Sequence, residues 1–189
     1  MRTCFFSALV AIALSTVGCA DPWTLVHQVN PTPYGKSSNM TIEELSFDDV
    51  KVGEKTEDQY LATKSADTQQ SFRGDKDAMV AQFRKGFDAE RGALPIIPAG
   101  LPGSNPFVIK PRVTFIEPGF FSGMIVSAST ELRVTIDVVD ANGNMDDEIV
   151  ISTKVSATMD DPASGTRMRE AAQEVGRDTA AYLKKRLGV

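Results

Sequence analysis

The sequence predicts an α/β chain of the two-layer α+β kind. It calls for about four strands in a mixed or antiparallel sheet, with two helices, about 68–90 and 164–187, packed on one face. Three observations carry this. Residues 126–138 alternate apolar and polar side chains, the period of a strand with one buried face. Apolar residues recur at helical spacing over 68–90 and again over 164–187, as a helix burying one stripe requires. Asn142-Gly143 divides two alternating runs and is a strong tight-hairpin signal.

In chain order, a short strand is expected over Phe47 to Val52, ended by Gly53, with Tyr60 and Leu61 turned inward. Phe72, Met79, Val80, Phe83 and Phe87 fall on one face of the first helix, and Gly92 stops it. Val108 to Glu117 reads as a strand that Pro111 pushes toward an edge or a bulge. Pro118-Gly119 turns the chain into the alternating run 126–138. The pattern resumes in Ile149, Ile151, Thr153, Val155 and Ala157 and completes a β-meander over 108–158. Asp161-Pro162 and Ser164 open the last helix and Gly188 closes it. Lys184, Lys185 and Arg186 occupy its final turn, where cations suit the helix dipole.

Residues 91–107 carry prolines at 95, 98, 102 and 106 and glycines at 92, 100 and 103, which excludes regular structure. Long connections without secondary structure are often functional. Leu94, Ile96, Ile97 and Leu101 are therefore the candidate partner-binding residues, the alternative being that they pack inward. Phe72, Phe83 and Phe87 raise a second idea, a lipid or small-molecule pocket between the first helix and the sheet, although an aromatic stripe of this kind is ordinarily core.

The formal net charge of −5 argues against nucleic acid, which calls for a basic stripe. His27 is the only histidine and the two cysteines are Cys4 and Cys19, so a histidine triad or a His/Cys metal site is hard to build. No phosphate loop or dinucleotide fingerprint appears. The pairs Glu43/Glu44, Asp48/Asp49 and Asp146/Asp147 read as solvated. The acidic joint 140–148 departs from a calcium-binding loop, with Met145 and Ile151 where glycine and glutamate are needed. No cofactor, metal or enzymatic activity is expected.

The first residues decide the location. Arg2 is followed by an apolar run from Cys4 to Leu14 broken only by Ser7. It is too short to span a membrane and fits the core of a secretory signal. Ser15, Thr16, Val17 and Gly18 then lead to Cys19. "LSTVGCAD" resembles the lipobox of bacterial lipoproteins, with Thr16 where that family favours leucine. The resemblance implies cleavage before Cys19, diacylglycerol on its sulfur and acylation of its amine. Two or more acyl chains anchor stably where one does not. It further implies retention at the outer membrane, facing the periplasm, since Ala20 rather than an acidic residue follows the cysteine. A plain signal peptide cut after Ala20 and a cytoplasmic apolar helix are the competing readings. The expected organisation is a signal peptide at 1–18, a lipidated N-terminus and tether at 19–40, and one α/β domain at 41–189. Trp23, Leu25, Val26 and Val29 interrupt the polar tether and would dock on the domain or on a partner.

Behind that signal, "RVTFIEPG", "ELRVTIDVVDANG" and "AAQEVGRDTAAYLKKRLG" resemble small bacterial envelope lipoproteins over roughly residues 41–187. Their domain is similar to the amino-terminal domain of the Tol-system propeller protein and to curli-secretion-type lipoproteins. The resemblance implies an architecture and a location and carries no active site. The expectation is a non-enzymatic lipoprotein held to the membrane by its anchor, whose domain meets another envelope protein as an accessory of a transport or assembly system. A lipid- or small-molecule-binding lipoprotein is the alternative.

Overall fold

A computed structural model describes residues 21–36, 38–101, 106–122 and 126–189. The period-two run becomes strand β8 (Thr130–Val139), with Leu132, Val134, Ile136 and Val138 fully buried on one face. Glu131 and Arg133 lie on the other face, which no described helix covers. The run begins four residues earlier in sequence than the strand does. Residues 126–128 form a separate short strand, because the Pro118-Gly119 turn folds back onto them. Gly119 has φ 66°, and a Cβ there would lie 2.4 Å from the Ala128 carbonyl oxygen.

The remaining elements, in chain order, are β1 (Trp23–Gln28), β2 (Met40–Ile42), β3 (Lys51–Val52), β4 (Lys55–Thr56), α1 (Glu57–Leu61), α2 (Ala66–Glu90), β5 (Phe107–Glu117), β6 (Phe120–Ser122), β7 (Val126–Ala128), then β8, β9 (Met145–Val155) and α3 (Ser164–Leu187). The class is α+β. Among the described residues the sheet has seven strands rather than four, in the order β1-β9-β8-β5-β3-β4 with β2 also on β5, and β6-β7 form a separate ribbon. There are three described helices rather than two, the short α1 being fixed by a capping box between Thr56 and Gln59. β5–β8, β8–β9 and β9–β1 pair antiparallel, whereas β2 and β3 lie parallel to β5. The strand expected over 47–52 is confined to β3, after Asp49 takes a left-handed turn (φ 59°).

Pro111 sits in a central strand, not at an edge. The Pro111 carbonyl accepts from Ser46 on the side of β2 and β3, so its missing donor faces the same way. There β2 has ended at its pairing with Ile109 and β3 has not yet begun at Phe115. A proline is tolerated in a sheet where the neighbouring strand is interrupted.

α2 and α3 share one hydrophobic cluster with the inner face of the sheet, and their backbones nearly touch. A Cβ on Gly86 would lie 1.9 Å from the Gln173 carbonyl oxygen, and one on Gly176 would lie 2.1 Å from that of Phe83. Only glycine permits such an approach. α3 begins without a side-chain cap of its own. The Asp75 carboxylate of α2 stands over its first turn instead, 2.5 Å from where a Gly165 Cβ would be, and an anion at a helix N-terminus is favourable. α3 ends on left-handed Gly188.

Candidate functional site

The alternation of β9 turns Asp147 inward with Ile149 and Ile151, and its side chain is completely buried. A buried carboxylate must be paired and hydrogen-bonded. α3 supplies partners four residues apart on one helix face: the Tyr182 hydroxyl donates to Asp147 Oδ2 at 2.7 Å, and Arg186 donates through Nε to Oδ2 at 2.9 Å and through Nη2 to Oδ1 at 3.1 Å. The Tyr34 hydroxyl completes the set from the N-terminal segment. Burial, reinforced by the Asp147 carboxylate, raises the Tyr34 and Tyr182 phenols far above their ordinary range, so both stay hydroxyl donors. The pair Asp146/Asp147 is thus not solvated. Asp146 is also buried, and one of its carboxylate oxygens has no hydrogen-bond partner.

The same guanidinium reaches the N-terminal segment. Arg186 donates to the Val29 carbonyl and, at 3.1 Å, to Asn30 Oδ1. Trp23 packs edge-on against Tyr182, with ring centroids 5.5 Å apart. Lys185 lies 5.4 Å above the Trp23 ring and pairs with Asp21 at 2.6 Å. Residues 23–28, expected within a tether, are therefore an edge strand paired with β9 and fastened to α3. An open cleft of about 370 Å³ lies on this face, between Trp23, Leu25, Tyr182 and Lys185. Leu25 and Val26 are the exposed apolar side chains here, at 50% and 56%. Cys19 lies outside the described residues.

The candidate partner-binding residues separate. Leu94 is buried in the core. Ile96 is half-buried against that core and bridges Met40, while the Ile97 amide donates to the Met40 carbonyl at 2.8 Å. The segment is thus strapped along β2. Leu101 is exposed. Beyond the strap, Ile97, Pro98 and Ala99 border a cleft of about 410 Å³ with Ile42, Arg84 and Arg91. An adjoining cleft of about 420 Å³ runs along α2 past Ile42, Leu45 and Val80. Both arginines are held by Asp88, at 3.0 and 3.3 Å. Phe72, Phe83 and Phe87 are buried in the core, so the helical aromatic stripe is packing. The cleft lies on its flank.

The acidic hairpin closes on itself. Asp140 Oδ1 accepts from the amides of Asn142 and Asn144 at 2.8 Å each, and Oδ2 from both asparagine side chains. Among the described residues no group of three or more His, Cys, Asp and Glu could hold a metal ion. His27 stands opposite Glu148 in the sheet, and Glu148 opposite Asp137. Burial, then the neighbouring Glu148, pushes the Asp137 carboxyl upward. Arg167, on which no sequence motif falls, is fully buried. It donates to Thr130 Oγ1 at 3.0 Å, to the Asp161 carbonyl at 3.0 Å and to the Pro118 carbonyl at 3.5 Å, tying down the base of the β6-β7 ribbon.

No protein-family model matches the chain, and no curated protein matches it. Solved structures to which the chain is similar include a Xanthomonas campestris protein assigned to the family model DUF330, 12% identical, covering 86% of this chain and 93% of that one with a TM-score of 0.48. The PelC dodecamer from Paraburkholderia phytofirmans is 10% identical over 82% of this chain and 96% of that one, TM-score 0.41. A minor lipoprotein from Acinetobacter baumannii is 14% identical over 77% and 94%, TM-score 0.35. No described helix is long and apolar enough to cross a membrane.

Proposed function

We propose that this protein is a non-enzymatic envelope lipoprotein, anchored through Cys19 at the outer membrane and facing the periplasm. Its α+β domain meets another protein of an envelope transport or assembly system. The observation that carries the reading is the N-terminal stretch itself: a short apolar run of secretory-signal length and small residues lead to Cys19, which resembles the lipid-attachment signal of bacterial lipoproteins. Fatty-acid labelling in cells tests it. Label should enter the wild-type chain and be lost in Cys19→Ser, and equal label in both would reduce the stretch to a plain signal peptide.

The partner surface is the rim that Ile97 forms beside the α2 clefts, together with exposed Leu101 four residues on. Photo-crosslinking residues at 97 and 101 should trap one specific protein in intact cells at native expression. An empty result would count against this surface. The second reading, a small lipidic ligand, rests on the cleft of about 420 Å³ flanked by Ile42, Leu45 and Val80, which falls within the size of ligand pockets. Native mass spectrometry of the purified protein separates the two, since a clean unliganded mass removes the ligand.

A further inference from the structure

We infer that the face made by β1 and the last turn of α3 lies directly on the lipid bilayer. The inference rests on the Cys19 anchor proposed above and adds the pose of the domain. Asp21 is tied to Lys185, and Trp23 is held both by pairing with Ile151 and by packing on Tyr182. The ordered clamp thus begins two residues after Cys19. Two residues of extended chain reach at most about 7 Å, and the headgroup region is about 5–8 Å deep on each side of the hydrocarbon. A thioether-linked lipid at Cys19 therefore holds this face at headgroup depth, with no slack to lift it away.

The face is chemically suited to that depth. Leu25 and Val26 present half-exposed apolar side chains from an edge strand. Trp23 lies beside them with the Lys185 ammonium over its ring. An amphipathic aromatic and a cation on an aliphatic stem are the side chains that favour the membrane interface. The cleft between Trp23, Leu25, Tyr182 and Lys185 has an apolar wall and a polar lip where Lys185 pairs with Asp21, a mixture of surfaces that suits headgroup depth. The opposite edge of the sheet, at β4, carries Lys55 and lies five strand spacings away, roughly 24 Å.

Trp23 is the only tryptophan, so its emission reports this face without a label. The full chain, processed in cells and purified in detergent, is returned to vesicles of phosphatidylethanolamine and phosphatidylglycerol that include headgroup-nitroxide lipid. Quenching in the wild type should exceed that in Trp23→Phe/Lys55→Trp by about twofold or more, the variant placing its tryptophan at the far edge. Equal quenching, with both proteins floating with the vesicles, overturns the pose and leaves the anchor standing. A wild-type protein that neither floats nor carries fatty acid overturns the anchor, and the pose with it. A third protein guards against a folding defect in the variant. About ten Gly/Ser residues inserted between Ala20 and Asp21 give flexible reach and leave every domain residue unchanged. They should reduce Trp23 quenching by about half or more, and undiminished quenching overturns the claim that the short link sets the pose.

Discussion

α3 makes two seams of opposite character. Against α2 it is fastened by close packing, with Gly86 and Gly176 letting the two backbones approach. Against the N-terminal segment it is fastened by polar groups, with Asp147 shared among Arg186, Tyr182 and Tyr34. The first seam has no room for an extra carbon, and its ion pairs, Lys184–Glu90 and Arg169–Asp75, are partly exposed. The second has several partners for each group, but removing one leaves a buried charge behind. A packed seam fails through volume, and a polar seam fails through imbalance.

The most damaging way to break this contrast is Gly176→Ala. Its methyl would meet the Phe83 carbonyl, which is backbone and cannot swing aside. A loss of about 4 kcal/mol or more is expected in urea unfolding, and a loss below about 1 kcal/mol would mean that the helices part easily. Asp147→Asn comes next. It leaves the Arg186 guanidinium, largely buried, without its anion, at an expected cost of about 3–5 kcal/mol. The double change Asp147→Leu/Arg186→Met should cost less than the single one, because it removes both charges together; a larger loss would show that the seam does not behave as a unit. Tyr34→Phe removes one donor and leaves Asp147 with Tyr182 and Arg186, for about 1–2 kcal/mol.

The smallest effect lies on α3 between the two seams. Burial, then the neighbouring Glu174, lifts the Asp178 carboxyl to about 6. Its charged form is therefore disfavoured by the fold, and the contribution of this group to stability should rise as pH falls from 8 through 6 toward 4. Asp178→Asn should stabilise at pH 8 by less than about 1 kcal/mol, since solvent screens this group. The gain should fade toward pH 4 in paired thermal melts. A gain that stays constant with pH would remove ionisation as the cause.

The two helices and the β8–β9 hairpin were legible because their periods run uninterrupted. α3 is bounded as expected at Ser164 and Leu187. β1 was not legible. Its register shifts between Leu25 and His27, which breaks the alternation, and as an edge strand it leaves Leu25 and Val26 in solvent. The polar seam was hidden for a different reason. Arg186 reads as a helix-end cation and Asp147 as one of two adjacent acids, and nothing local in either stretch says that the two meet. The inward phase of β9 was available as a signal: counting back from Ile149 by two reaches Asp147. Of the candidate partner residues, the apolar character of Leu94, Ile96 and Ile97 proved compatible with burial against β2, a pairing between short segments that sequence periodicity does not register.

The Asp147–Arg186 seam also has a consequence in time. The contact from Arg186 to the Val29 carbonyl spans 157 residues of sequence, and that from Gln28 to Tyr182 spans 154. The entropy of closing a loop rises with the length enclosed, and contacts of long separation form slowly. A ribosome delivers residue 29 long before residue 186. The β8–β9 hairpin can assemble while the first strand is still waiting for the end of the last helix. The edge that β1 occupies is thus the latest part of the sheet to close.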